Sequence, residues 1–155
     1  MDKDIDYCAS QLRLQDYHRY VIPLVLTRKF RPALWALYTF NLELARIPHV
    51  ATEPGLQAIR YQWWRDAVVQ LPNAQAPAHP VLQSLQRHAG LVFDDLDNLV
   101  DAHESQGDVE GVLEALSLKL VKDQDHKKIK KIFRAKMDPS DPLLPLKLWW
   151  QARFA

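Results

Sequence analysis

The feature that most constrains the fold is residues 31–47, RPALWALYTFNLELARI, which are apolar on almost every side of a predicted helix. The apolar side chains on its faces are Leu34, Trp35, Leu37, Phe40, Leu42, Leu44 and Ile47. After the first residue its only charges are Glu43 and Arg46. A helix that is apolar all round lies inside a bundle, and we expect Trp35 to be buried there. The segment is too short, and too closely followed by Pro48, to cross a bilayer.

Helical periodicity continues along the rest of the chain. It predicts helices over residues 4–14, 17–26, 55–71, 81–88, 91–104, 112–121 and 122–136, a turn over 137–142 and a terminal helix over 143–154. We expect the central helix to end before Pro48 and to pair as the core hairpin with the helix over 55–71, which carries Leu56, Ile59, Trp63 and Ala67 on one apolar face. No alternating strand pattern and no internal repeat occurs. The sequence therefore predicts one all-α domain over residues 1–155, built as a helical bundle.

The composition excludes several classes of protein. A net charge of +1 argues against a nucleic-acid partner, and four glycines do not make a phosphate-binding loop. The single cysteine, Cys8, cannot form an internal disulfide and is typical of a reducing compartment. None of the six histidines has a second histidine or cysteine at metal-ligand spacing, so we expect no zinc site. The acidic start, MDKDIDY, is neither a secretory signal nor an arginine-rich mitochondrial presequence.

A run of acidic residues offers a candidate metal site. Asp97, Asp101 and Glu104 fall on one helix face at i, i+4 and i+7, where their carboxylates could bind Mg²⁺. Mg²⁺ usually also needs a substrate phosphate, and a single helix supplies only half of such a site. Carboxylates at this spacing are equally normal on a solvated helix face. We therefore expect no cofactor, with these three carboxylates as weak metal candidates.

A basic run near the C-terminus is a candidate contact with a membrane or a partner. Its cations are Lys127, Lys128, Lys130, Lys131 and Arg134, and residues 118–136 carry 8 Lys/Arg against 2 Asp, a local charge of 8 − 2 = +6. Such a surface attracts anionic lipid. Trp149 and Trp150 follow in the apolar terminal helix and could join this contact. The alternative is an ordinary amphipathic helix with its basic face in water, because Ile129, Ile132 and Phe133 interleave as an apolar stripe. The other tryptophan pair, Trp63 and Trp64, is typical of packing rather than of a ligand cage.

Four sequence blocks resemble the squalene/phytoene synthase family. They are YC…LR..DY..Y over residues 7–20, R…..AL..FN.ELA over 31–45, IR.Q.W over 59–64 and LLPLKLWWQ over 143–151. The resemblance is most specific to the branch that contains a mitochondrial assembly factor of respiratory complex I. It implies an all-α isoprenoid-synthase-like fold. Members of the family are substantially longer than this chain, so the resemblance also implies an internal deletion near residues 105–112 that removes several central helices.

The resemblance implies which residues should carry the family's chemistry. Its enzymes condense two prenyl diphosphates and hold them through Mg²⁺ on two Asp-rich helices. Arg31 and Tyr38 match the family and could line a residual substrate pocket. The first Asp-rich motif and its arginine fall instead on Leu42, Ala45, Arg46 and His49, none of which is a carboxylate. Because Arg46 inverts the local charge, the resemblance argues for the fold and against the activity.

The sequence thus leads to a non-catalytic member of the family that binds a protein partner of respiratory complex I, at a membrane surface, or associates with itself. The alternative is a prenyl-diphosphate transferase that uses Mg²⁺. A third reading is a remnant without independent function, because lost central helices would leave apolar faces of the bundle open. We expect a cytoplasmic protein if the source is bacterial, and otherwise a mitochondrial protein on the matrix side of the inner membrane.

Overall fold

The computed structural model describes residues 2–135 and 143–154, and every regular element in this part of the chain is helical. The helices are α1 Lys3–Gln15, α2 Tyr17–Val21, α3 Arg31–Val50, α4 Pro54–Gln70, α5 Pro80–His88, α6 Leu96–Glu104, α7 Val109–Leu120, α8 Gln124–Arg134 and α9 Leu144–Phe154, with short 3₁₀ segments at Ile22–Val25, Arg28–Phe30 and Gly90–Asp95. The all-α prediction is confirmed. Lys136 and the turn predicted over residues 137–142 lie outside the described residues.

Helix α3 is the centre of the bundle, as its all-round apolar character predicts. Its side chains Leu34, Leu37, Phe40 and Leu44 are completely buried. It packs most extensively against α1 and α5, which also pack against each other. Trp35, expected in the core, is only partly buried; its ring stacks on Tyr20 at 6.0 Å and its indole N–H donates to the Tyr20 carbonyl at 3.1 Å.

Two predictions about the helical boundaries and pairing were wrong. Helix α3 continues through Pro48 to Val50, because the Ala51 N–H still bonds to the Ile47 carbonyl at 3.0 Å beyond the proline. Helix α4 is also not the main partner of α3, since it packs most extensively against α6. The linker between α3 and α4 therefore shrinks to residues 51–53.

The face that α4 turns inward also differs from the prediction. Of the predicted face, Leu56, Ile59 and Trp63 are exposed and only Ala67 is buried, together with Tyr61, Trp64 and Val68. Apolar residues occur on two sides of α4, so spacing alone does not identify the side that meets the core.

The connection at the expected deletion is a short, well-bonded turn. Residues 105–108 join α6 to α7. The Gly107 N–H donates to the Ala102 carbonyl at 2.8 Å. The Asp108 side chain caps α7 by accepting from the Gly111 N–H at 2.9 Å. Helix α7 then packs against α3 and α6 and buries Leu113. The helix that follows this turn therefore helps to enclose α3, and the deletion stays a prediction.

Candidate binding surfaces

The positions that the resemblance assigns to the first Asp-rich motif lie in the second half of α3. Leu42 is buried, while Ala45 and His49 are exposed. The Arg46 guanidinium donates to three acceptors: Glu43 Oε1 at 2.6 Å, Gln11 Oε1 at 2.9 Å and Gln15 Oε1 at 3.1 Å. Mg²⁺ prefers carboxylate oxygens and water. These residues do not fit Mg²⁺, because a satisfied cation occupies the centre of the motif.

Two of the three weak metal candidates on α6 form ion pairs with Arg65. Arg65 of α4 donates to Asp101 Oδ1 at 2.6 Å and to Glu104 Oε2 at 2.7 Å. Asp97 lies one turn earlier on the same helix and takes no part in this pair. Over residues 2–135 and 143–154, no group of three or more His, Cys, Asp or Glu side chains is arranged to hold a metal ion. The two carboxylates thus fasten α6 to α4.

Arg31 and Tyr38, the residues matched to the family's substrate pocket, have structural partners of their own. The Arg31 guanidinium donates to the Pro23 carbonyl at 3.2 Å and to the Leu24 carbonyl at 3.1 Å. Tyr38 is completely buried with its hydroxyl 3.0 Å from Ser117 Oγ, and burial raises its pKa. Arg31 holds the segment before α3 and Tyr38 holds α7, so a pocket role for them stays a prediction.

A buried polar pair that the sequence analysis missed links α6 to α3. His103 Nε2 lies 2.8 Å from Oδ1 of Asn41, which is buried in the central helix α3. Burial, together with the positive charge of Arg19, lowers the pKa of His103 to about 4. An Asn inside an apolar helix needs a hydrogen-bond partner, which was the available signal for this pair.

A concave surface lies over α4, and we call it the tryptophan groove. It encloses about 550 Å³ and is lined by Leu56, Ile59, Arg60, Trp63 and Trp64 of α4, with Glu43 of α3 and His79 at the start of α5. Trp64 is buried at the bottom of the groove, whereas Trp63 is 47% exposed. The packing role predicted for this tryptophan pair fits Trp64, but Trp63 presents about half of its surface to solvent.

Ring contacts fix the shape of this groove. The Trp64 ring lies 5.5 Å from the buried Phe40 ring, 5.0 Å from Trp63 and 5.2 Å from His79, measured between centroids. His79 is itself held, because its Nδ1 accepts from the Val81 N–H at 3.3 Å and caps α5. Burial lowers the His79 pKa, which favours the neutral ring. The aromatic walls are therefore anchored from the core outward.

The second candidate surface is the basic face of α8. Lys127, Lys130 and Arg134 recur at i, i+3 and i+7 and are exposed. Lys128 and Lys131 are partly buried, and Lys128 lies 3.2 Å from Asp125 Oδ1. The opposite face of the helix buries Ile129 and Ile132. A shallow groove of about 590 Å³, lined by Val121, Lys122, Asp123, His126, Lys127 and Lys130, continues this surface at the start of the helix. We call the exposed cations Lys127, Lys130 and Arg134 the basic stripe.

Helix α9 packs against α8 and carries apolar side chains on two sides. Leu144 and Leu148 are buried, whereas Leu146, Trp149 and Trp150 are 62%, 45% and 52% exposed. Among the described residues, none of the helices is both long enough and apolar enough to cross a bilayer. The two predicted tryptophans therefore lie at the surface, on the helix next to the basic stripe.

Comparison with known proteins gives two kinds of match. The model of the squalene/phytoene synthase family matches residues 12–115, which contain α3 and the tryptophan groove but not α8 or α9. "NADH dehydrogenase (ubiquinone) complex I, assembly factor 6" is 33% identical over 86 residues in Bos taurus and 31% identical over 86 residues in Homo sapiens, each match covering 53% of this chain and 26% of the relative. The Drosophila melanogaster homolog is 31% identical over 90 residues, covering 54% of this chain and 27% of the relative.

The chain therefore spans about a quarter of the length of these curated relatives in each alignment. No solved structure shows a significant match to the chain.

Proposed function

The chain belongs to the squalene/phytoene synthase family, and we propose that it is a member without prenyl transfer activity that acts by binding a protein partner. The partner on this proposal is a component of respiratory complex I or of its assembly. The names of the curated relatives support this choice, since they are assembly factors of complex I. The site of action would be the matrix side of the mitochondrial inner membrane, or the cytoplasm if the source is bacterial.

The observation that carries the loss of activity is the environment of Arg46. Diphosphate and Mg²⁺ bind where carboxylates are clustered, because the carboxylates hold the metal that neutralises the phosphates. Here the guanidinium stands in that place and is partly buried among Glu43, Gln11 and Gln15. The nearest carboxylate, Glu43, is already paired with it at 2.6 Å. A divalent cation at this position would face an uncompensated repulsion.

We expect the purified protein to show no saturable, Mg²⁺-dependent binding of farnesyl diphosphate in isothermal titration calorimetry. The same titration without Mg²⁺ measures any binding of the prenyl chain alone to apolar surface, which the proposal allows. Saturable heat that appears only with Mg²⁺, or release of diphosphate during incubation, would contradict the proposal in favour of the transferase alternative.

We further propose that the protein works at an anionic membrane surface, through the basic stripe of α8 and the exposed tryptophans of α9. Basic residues near an anionic leaflet contribute about 1 kcal/mol each at low salt. Tryptophan side chains favour the interfacial region, where an apolar body and a polar N–H are both accommodated. The two features lie on helices that pack against each other, which supports a single contact surface.

We expect the protein to co-sediment with vesicles that contain phosphatidylserine and not with phosphatidylcholine vesicles. Salt should weaken this binding, because the Debye length falls from about 8 Å at physiological ionic strength to about 3 Å at 1 M. The variant Lys127→Glu/Lys130→Glu should lose most of it. Its control is Lys3→Glu/Arg13→Glu, which makes the same change of charge at two exposed positions of α1. Equal loss in both variants would indicate a response to net charge rather than to this surface.

A further inference from the structure

The apolar surface of the tryptophan groove has a regular spacing. Leu56, Ile59 and Trp63 recur at i, i+3 and i+7 of α4 and are 50%, 66% and 47% exposed. They form one stripe about two helical turns long, because each turn contains 3.6 residues. A contiguous exposed apolar patch bordered by polar residues is typical of an interaction site. Three exposed apolar residues at this regular spacing are not the isolated surface residues that most proteins carry.

The groove is also concave and preformed. Its bottom is the buried Trp64 ring, which contacts Phe40 in the core, and its far wall is the His79 ring. Neither wall needs to move to open the groove. Binding to a preformed groove loses little conformational entropy in the protein, which favours a specific occupant.

The charges around the groove are unbalanced. Glu43 is neutralised by Arg46 at 2.6 Å, and the His79 ring is uncharged in this environment. Arg60 lies on the exposed side of α4, lines the groove and has no ion-pair or hydrogen-bond partner in residues 2–135 and 143–154. By contrast, the neighbouring Arg65 is fully engaged by Asp101 and Glu104. The groove therefore presents one uncompensated positive charge beside an apolar stripe.

From this geometry we propose that the tryptophan groove binds an amphipathic helix of a partner protein, with apolar residues against Leu56, Ile59 and Trp63 and a carboxylate against Arg60. The proposal deepens the proposed function, on which it rests, by assigning the protein-binding surface. Apolar anchors at i, i+3 and i+7 are the mode by which helices bind in grooves. A bilayer is a less suitable occupant, because its flat surface would not enter a concave groove. A membrane contact through α8 and α9 remains compatible with it.

The test uses two synthetic amphipathic peptides of about 15 residues, close to the length at which isolated helices become stable. Both carry leucines at i, i+3 and i+7, and they differ only in one flanking residue, which is Glu in the first peptide and Lys in the second. Fluorescence anisotropy of the labelled peptides gives their affinities for the full chain. We expect the Glu peptide to bind about tenfold more tightly than the Lys peptide. The variant Arg60→Glu should reverse this order.

Two matched variants separate the groove from general surface effects. Ile59→Asp places a charge in the apolar stripe and should weaken the Glu peptide at least tenfold. Val69→Asp makes the corresponding change at a residue of the same helix that is 56% exposed and does not line the groove, and it should leave the affinity unchanged. Both positions are exposed, and circular dichroism should give the same helix content for parent and variants.

Several results would overturn the proposal. Equal affinity for the two peptides would remove the role of Arg60, and equal weakening by Ile59→Asp and Val69→Asp would remove the role of the groove. Vesicle binding that Ile59→Asp abolishes would assign the stripe to a membrane, and concentration-dependent self-association that Ile59→Asp abolishes would assign it to a second copy of the chain. Mg²⁺-dependent prenyl diphosphate binding would instead contradict the proposed function, and it would leave the peptide result unaffected.

Discussion

Replacement of Leu37 by alanine should lower the free energy of unfolding by about 3–5 kcal/mol, a large part of the 5–15 kcal/mol typical of a folded domain. Leu37 lies in α3, is completely buried and is surrounded by the other core helices. The truncation removes apolar burial and leaves a cavity that a close-packed interior fills only in part. For a chain of this size the melting temperature should fall by about 10 °C. Urea unfolding followed by circular dichroism measures the change.

The chain offers a control with the same chemistry. Leu14, in the last turn of α1, is 78% exposed, and its replacement by alanine removes the same atoms from solvent rather than from the core. Leucine and alanine both favour helix, so helix propensity adds only a small difference between the two substitutions. We expect Leu14→Ala to change the unfolding free energy by less than about 0.5 kcal/mol. Similar losses in the two variants would mean that α3 is not the centre of the bundle.

The position of α3 at the centre of the fold could be predicted because a helix that is apolar on all sides has only one favourable location. The same argument fails for α4. Its apolar residues lie on two sides. Only the packing of α4 against α6 and α3, with the His79 ring, decides that Trp64 is covered and that Ile59 is not. The tryptophan groove exists because of this choice, so no reading of the spacing within α4 could have found it.

At the degenerate Asp-rich motif of α3, the sequence predicted which residues replace the carboxylates but not which contacts they make. That Arg46 replaces a carboxylate follows from the resemblance of α3 to its family. The hydrogen bonds from its guanidinium to Gln11 and Gln15 could not be predicted. These residues are 35 and 31 positions away in the sequence and reach Arg46 only when α1 packs on α3. The continuation of α3 past Pro48 was missed for a similar reason, since one retained hydrogen bond at Ala51 outweighs the general tendency of proline to end a helix.

The pair formed by His103 and Asn41 should make the protein sensitive to mild acid. The pKa of His103 is about 4 in the folded protein, because the imidazole is buried and Arg19 lies nearby, whereas its ordinary value is 6.5. Between these two values the unfolded chain binds a proton that the folded protein does not bind. The contribution of this residue to stability is therefore complete above pH 6.5 and is lost as the pH falls from 6.5 to 4. The total loss is about 3 kcal/mol, from 1.36 kcal/mol for each pKa unit.

This loss can be separated from the effects of other groups by the pH range in which it occurs. The pKa of Asp2 falls to about 2 because Arg87 donates to its carboxylate. The pKa of Asp125 is lowered, against the cost of burial, by its hydrogen bond from the Thr27 N–H and by Lys128. Both carboxylates therefore lose their contributions to stability only below about pH 4. His18 also has a lowered pKa through burial, and it contributes equally to the parent and to any variant at position 103. The difference between parent and variant therefore isolates His103.

We expect His103→Gln to abolish most of the decrease in unfolding free energy between pH 6.5 and 4. The glutamine amide can donate to Asn41 Oδ1 in place of the imidazole, but it does not titrate, so the variant should lose less stability than the parent on acidification. Urea unfolding at intervals of about half a pH unit gives both profiles. His49→Gln, which removes an imidazole exposed on α3, is the control, and its profile should follow the parent. If His103→Gln also follows the parent, the pKa of His103 is not lowered in the folded protein and this explanation of the acid sensitivity is wrong.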